Sequence, residues 1–192
     1  MYFPDIPFVL GSKSPRRQAL LSELGIEFEL RSADADESFP KDLSGREVPV
    51  FLADMKAAHI PIKDEECLIT ADTVVEVDNS ILNKPGDEEE AFSMLSRLSG
   101  RSHWVHTGVC LRQMEKKKLF VESTRVFFRE LSEEEIYYYI QNYQPFDKAG
   151  AYGIQEWIGH TAVERIEGCY LNVVGFPLPR LVRELKVFFS EN

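Results

Sequence analysis

Gly11-Ser12-Lys13-Ser14-Pro15-Arg16-Arg17 places three cations in a small-residue loop where a strand hands over to a helix. Upstream, Ile6 to Leu10 is an apolar run of strand type. Downstream, Leu20, Leu21 and Leu24 recur at helical spacing before Gly25, a natural helix stop. Ser14 is then the N-cap and Pro15 the first helical residue, where a missing N–H costs nothing. The free amides and the positive end of the helix face the loop, and Arg16 and Arg17 add bidentate donors shaped for phosphate oxygens. The corner predicts an α/β protein with a phosphate-bearing ligand; an ordinary strand–turn–helix corner that happens to carry cations is the other reading. It is not a Walker A loop, because positions 16 to 18 hold Arg16, Arg17 and Gln18 where that design needs its second glycine and a Lys-Ser/Thr pair. Nor does a GxGxxG follow a strand, since Gly150-Ala151-Tyr152-Gly153 has the wrong spacing.

The chain has 192 residues, 44% of them hydrophobic, enough to bury a core as one domain or two closely joined lobes. Its apolar runs are far shorter than a membrane span, and the start, with Pro4 and Asp5 and no basic stretch, does not read as a secretory signal. Cys67, Cys110 and Cys169 are odd in number and widely separated, which suits buried free thiols in a reducing cytoplasm. No CxxC or HxxxH pair suggests zinc. A net charge of −10 argues against sequence-independent nucleic-acid binding, which depends on a basic face. A polyphosphate remains compatible with it if the cations converge on a cleft and a divalent metal screens the rest.

Strands and helices alternate along the first half. Phe28 to Arg31 reads as a strand, followed by the acidic loop Asp34-Ala35-Asp36-Glu37. Val48, Phe51, Leu52, Met55 and His59 trace one helical face, with Lys56 at its flank, either reaching over the core edge toward a cleft or simply solvated. Cys67 to Ala71 reads as a buried strand ending at Asp72-Thr73, and Val74 to Asn83 as a hairpin turning at Asp78-Asn79. After Lys84-Pro85-Gly86, Asp87 and three glutamates load the first turn of a helix running to Gly100. His103 to Met114 and Leu119 to Leu131 are two long strands, and Glu115-Lys116-Lys117-Lys118 between them is a solvated hairpin tip. Ser132 caps a helix ending near Tyr143. Thr161 to Glu167 and Tyr170 to Val174 read as strands, and Leu178 to Phe189 as an amphipathic helix. The pattern is a mixed α/β sheet with an antiparallel section.

Asp72 leads the candidates for chemistry, since a carboxylate at the carboxyl end of a buried strand sits where open α/β folds place their ligand crevice. Asp36 and Glu37 either supply further hard oxygens, suited to magnesium or manganese, or are solvated loop acids. No serine, histidine and acid set suggests a triad. His59, His103, His106 and His160 lack a ligand-like grouping.

Five short runs, in order, carry a resemblance: Ser12 to Arg17, Ala71-Asp72-Thr73-Val74-Val75, Leu82-Asn83-Lys84-Pro85, His106-Thr107-Gly108-Val109 and Asp147 to Gln155. Together they resemble the Maf family of nucleoside triphosphate pyrophosphatases from about residue 8 to 180, with Val163 to Gly168 and Asn172 to Leu178 similar to the family's closing segments. The resemblance implies a single Maf/ITPase-like domain over 1–192: a mixed twisted sheet with flanking helices, and two lobes around a central cleft. It implies hydrolysis of a nucleoside triphosphate to the monophosphate and pyrophosphate, with a divalent cation, Mg2+ or Mn2+. By position, Asp72 matches the catalytic acid, which would orient or deprotonate the water or hold the metal. Arg16, Lys56 and Lys84 match cations around the triphosphate, helped by Ser12 and, from the loop's own chemistry, Arg17. Glu37 matches an acidic position near the metal.

Arg16, Thr73 and Gln155 match the group directed at dTTP, UTP and related or modified pyrimidine nucleotides, whereas the 7-methyl-GTP branch typically has Ser-Asp-Gln in place of Ala71-Asp72-Thr73. A Gln amide offers both a donor and an acceptor to a uracil or thymine edge. Lys13 departs from the family's small residue, and Glu156-Trp157-Ile158 replaces a glycine-rich stretch. The resemblance also implies a homodimer, and a second reading as a nucleotide-binding regulator of cell division and septum formation that turns its ligand over poorly. Expected partners are thus a nucleoside triphosphate, with no nucleic acid and no membrane, in the cytoplasm.

Overall fold

The computed structural model describes residues 5–32 and 38–190. Among them, seven strands form one mixed sheet in the order β2-β1-β3-β5-β6-β7, with β4 paired to β3 alone. The strands are β1 (Phe8–Gly11), β2 (Phe28–Leu30), β3 (Cys67–Val77), β4 (Ser80–Leu82), β5 (Ser102–Gln113), β6 (Lys116–Phe128) and β7 (Val163–Glu167). β1 runs parallel to both β2 and β3, and every other pairing is antiparallel. The helices are α1 (Pro15–Glu23), α2 (Val48–His59), α3 (Glu88–Leu98), α4 (Glu133–Tyr143), α5 (Trp157–Ala162), α6 (Tyr170–Val174) and α7 (Leu178–Ser190). None of them is long and apolar enough to cross a membrane.

Alternation along β3 sends its side chains to the two faces of the sheet. Cys67, Ile69 and Ala71 pack with Val109 and Leu111 of β5 under α1 and α7, while Val75 and Val77 pack with Val105, Val126 and Phe128 under α3, α4 and α5. Those two clusters occupy opposite ends of one sheet face. On the other face, Leu68 and Val74 meet α2.

Local signals explain most elements. α4 begins in a capping box, with Ser132 Oγ accepting from the Glu135 amide and the Glu135 carboxylate accepting from the Ser132 amide. In α3 the Asp87 carboxylate accepts from the Glu90 amide. α1 starts with Pro15 and ends before Gly25 at φ +70°, as its sequence requires.

Four sequence expectations are corrected. β3 does not end at Asp72 but continues to Val77, because β5 pairs with it from Leu68 to Glu76 and carries it past the end of β1. α2 buries Val48, Pro49, Leu52, Ala53 and Ala57 and leaves Phe51 exposed. The smaller residues face inward because α2 lies against the backbone of β5, where a Cβ on Gly108 would stand 2.3 Å from the carbonyl carbon and oxygen of Pro49. Tyr170 to Val174 is a short helix rather than a strand, framed by Gly168 at φ +133° and Gly175 at φ +117°. Lys116 to Lys118 lie in β6, not in a hairpin tip: Lys116 reaches the Phe188 carbonyl, Lys117 sits 2.8 Å from Asp54 and Lys118 3.7 Å from Glu184. Of the cysteines, Cys67 and Cys110 are buried and burial pushes both thiols up to about 12, whereas Cys169 is half-buried; all three are free.

Candidate active site

The last pair between β1 and β3 is Gly11 with Thr70, and the first between β4 and β3 is Val75 with Leu82. Among the described residues, 71–74 of β3 therefore pair only with β5 and present an open edge in the middle of a sheet. The chain leaving β1 at this gap forms the loop Ser12 to Ser14 and turns into α1, so a helix N-terminus, a loop of free amides and a sheet edge meet in one place. A cavity of about 390 Å³ opens there.

Among the described residues its wall carries six cations, Lys13, Arg16, Arg17, Lys56, Lys84 and Lys148, against two carboxylates, Asp72 and Asp147. For a protein of net charge −10 the described wall is thus locally rich in cations. A second, smaller cavity adjoins it along Asp72, Thr73, Lys84 and Ala149.

Asp72 sits on the α2 side of β3, 9% exposed, with Oδ1 2.5 Å from Lys56 Nζ. Lys56 thus does reach over the flank of α2 into the cavity. Thr73 faces the opposite way. Its Oγ1 accepts from Arg17 NH2 at 2.9 Å and lies 2.9 Å from Thr107 Oγ1. Arg17 also donates from Nε to the Gly175 carbonyl at 2.9 Å and from NH1 to the Ala71 carbonyl at 2.8 Å. The sequence suggested a bidentate phosphate clamp for Arg17. The structure shows its guanidinium bonded across the open edge of β3, tying α1 to β3 and to the C-terminus of α6. Arg16, by contrast, projects to the far wall and pairs with Asp147 at 2.8 Å. Ser12, 9% exposed, accepts the Ser14 amide on its Oγ at 3.2 Å and so shapes the loop from within.

Lys84 is exposed and Gln155 is half-buried, and both line the cavity. The Gln155 Oε1 is buried and has no hydrogen-bond partner among the described residues. Glu37, the expected second metal-linked acid, lies outside the described residues. The cavity gathers Ser12, Arg16, Arg17, Lys56, Asp72, Thr73, Lys84 and Gln155, which span most of the sequence.

Asp147 and Lys148, which open the run Asp147 to Gln155, are functional-site residues that the sequence alone does not mark. Lys148, 8% exposed, holds Asp147 at 2.7 Å and Glu156 at 3.1 Å. Burial pushes the Asp147 carboxyl up, but the hydrogen bonds and charges of Lys148 and Arg16 outweigh it and leave the group below the usual carboxylate range. A lysine this buried is nearly always paired, so a Lys beside an Asp within an otherwise apolar motif was the available signal.

The described residues contain no group of three or more His, Cys, Asp or Glu placed to hold a metal ion. Among the described residues the cavity nonetheless offers carboxylates, with neither thiol nor imidazole on the wall. That set fits magnesium, which is commonly held by one or two carboxylates and by the substrate's own phosphates, and does not fit zinc.

The family model described as Maf-like protein matches residues 7–188. A dTTP/UTP pyrophosphatase of Porphyromonas gingivalis is 51% identical over 189 residues, covering 96% of this chain and 95% of that protein. One of the same name from Bacteroides fragilis is 50% identical over 181 residues, covering 93% and 94%. Among solved structures, a HAM1 protein from Coxiella burnetii superposes with a TM-score of 0.54 at 13% identity, over 97% of this chain and all of that one, a likeness of fold.

Proposed function

Because the chain belongs to the Maf family, we propose that it is a nucleoside triphosphate pyrophosphatase that hydrolyses dTTP, UTP and related pyrimidine nucleotides to the monophosphate and pyrophosphate. The observation that carries this reading is the convergence, among the described residues, of six cations on one cavity that also holds the buried Asp72, at the open edge of β3. The two ends of the sheet act as two lobes, and the triphosphate lies between them.

The reaction adds water to the α-phosphorus and breaks its bridge to the β-phosphate. Lys56 engages Asp72 Oδ1 and leaves Oδ2 to orient the water and take its proton. Arg16, Lys56, Lys84 and the amides of the Ser12–Ser14 loop neutralise charge as it builds on the departing pyrophosphate; positioning and electrostatics supply most of the rate. Arg17 holds the loop, Thr73 and β3 in register, so its contribution is to geometry. A divalent cation held by the substrate's own phosphates, with Glu37 as the acidic position matched near the metal, would screen the triphosphate and polarise its oxygens. Gln155, on the cavity wall, reads the base edge.

A panel of ordinary and modified triphosphates, assayed for pyrophosphate with and without Mg2+ or Mn2+, tests the proposal. Release from dTTP and UTP in the presence of metal is expected. Tight binding of dTTP with no pyrophosphate released would replace the enzyme by the regulator reading.

A further inference from the structure

Gln155 stands inside a tight turn in which the Glu156 amide donates to the Gly153 carbonyl at 3.0 Å. The turn is fastened at its carboxylate. Glu156 accepts a hydrogen bond from the buried Tyr139 hydroxyl, that hydroxyl accepts the Gly153 amide at 3.0 Å, and Lys148 Nζ lies 3.1 Å from Glu156 Oε1. Lys148 in turn holds Asp147, which holds Arg16 at the phosphate loop. A Cβ placed on Gly153 would fall 2.9 Å from Glu156 Cδ and 3.2 Å from Gln155 Nε2, so the carboxylate and the amide crowd the same point in space. Tyr139 and Lys148 contact the turn at Glu156 and Gly153, beside Gln155 rather than at it.

Resting on the pyrophosphatase reading above, we propose that Glu156, clamped by Tyr139 and Lys148, is a positioning residue that fixes the Gln155 amide and thereby sets the choice between uracil and cytosine nucleotides. Uracil and cytosine differ at one edge, where O4 and N3–H become N4–H2 and a bare N3. An amide turns easily about its last torsion and, left loose, presents donor and acceptor in either order. Clamped, it offers one order only, and the wrong base leaves buried polar groups unpaired.

The test compares Glu156→Gln and Tyr139→Phe with the wild type, each variant altering one polar group. For each, kcat/KM is measured on UTP and CTP, together with inhibition by inorganic triphosphate, which has no base. The preference for UTP over CTP is expected to fall about tenfold in both variants, through KM, while the inhibition constant of inorganic triphosphate stays within about twofold. An unchanged preference overturns the proposal, as does equal weakening of UTP and inorganic triphosphate, the mark of general damage to the cavity. The same ratio is read by calorimetric binding of UTP and CTP, which needs no turnover. Absence of hydrolysis in the wild type would therefore sink the activity alone and leave the clamp to be judged by binding.

Discussion

Asp72 and Lys56 form the pair on which chemistry turns, and a single atom separates a working site from an inert one. Asp72→Asn keeps the shape and removes the proton acceptor, so pyrophosphate release should fall by roughly 10²- to 10⁴-fold with little change in dTTP binding; a variant with full turnover would exclude Asp72 as the base. A second residue-scale prediction concerns His103. Burial holds its imidazole down to about 3, against an ordinary value of 6.5, and Tyr152 is its partner at 2.7 Å. Between those values the unfolded chain binds a proton that the folded one refuses. The stability tied to this histidine is therefore whole above pH 6.5 and is lost as the pH falls toward 3, by at most about 1.4 kcal/mol per pH unit. The double variant His103→Phe/Tyr152→Phe should lack that slope in denaturant titrations run from pH 7 downward, the difference from wild type isolating it from other acid-sensitive groups. Residue chemistry of this kind was partly legible in the chain. Asp72 stood out as an acid after an apolar run, whereas His103 looked like any other lone histidine until the ring of buried neighbours was visible.

Elements are where periodicity and capping did most, and where backbone contact overruled them. The capping box of α4 was readable from Ser132 and Glu135, and Ser132→Ala should cost about 1 kcal/mol, measured as a shift of the denaturation midpoint without loss of slope. α2 shows the opposite case. Its large apolar residues suggested a face through Phe51 and Met55, yet the helix turns Pro49, Ala53 and Ala57 inward because β5 offers a glycine at the crossing. Gly108→Ala drives a methyl group into the Pro49 carbonyl and should destabilise the protein by roughly 1–3 kcal/mol. It should also lower activity beyond what stability explains, since α2 carries Lys56 to Asp72; kcat/KM measured well below the melting temperature separates the two effects. α6 was misread for a related reason. Its β-branched Val173 and Val174 fit a strand by propensity, and the buried Asn172, donating to the Val105 carbonyl and Thr124 Oγ1 at 3.0 Å, fixes a helix instead.

On the scale of the molecule, the cavity is bounded by segments with little reason to approach one another except through the sheet: Arg16 meets Asp147 across 131 residues of chain and Arg17 meets Gly175 across 158. A ligand that bridges those walls stabilises all of them together. A non-hydrolysable dTTP analogue at one hundred times its dissociation constant should add about 2.7 kcal/mol, read as a rise of several degrees in thermal unfolding. The same rise is expected in Asp72→Asn, which binds without reacting, and a smaller one in Lys84→Met. What the sequence determined by itself was whatever is written in a few neighbouring residues: the strand–loop–helix corner with its cations, the caps and glycine stops, the α/β alternation and the ordered motifs of the Maf family. Those signals are local because hydrogen bonding within a turn and the repeat of a helix or strand reach only a few positions along the chain. The tertiary structure alone decided that β3 runs on past β1 and bares residues 71–74, that Arg17 bonds to that edge while Arg16 crosses the cavity, and that Lys148 and Glu156 stand behind Gln155. Each of these depends on which distant backbone comes within about 3 Å, and pairwise proximity of that kind follows from sheet order and packing, which no short stretch of residues encodes.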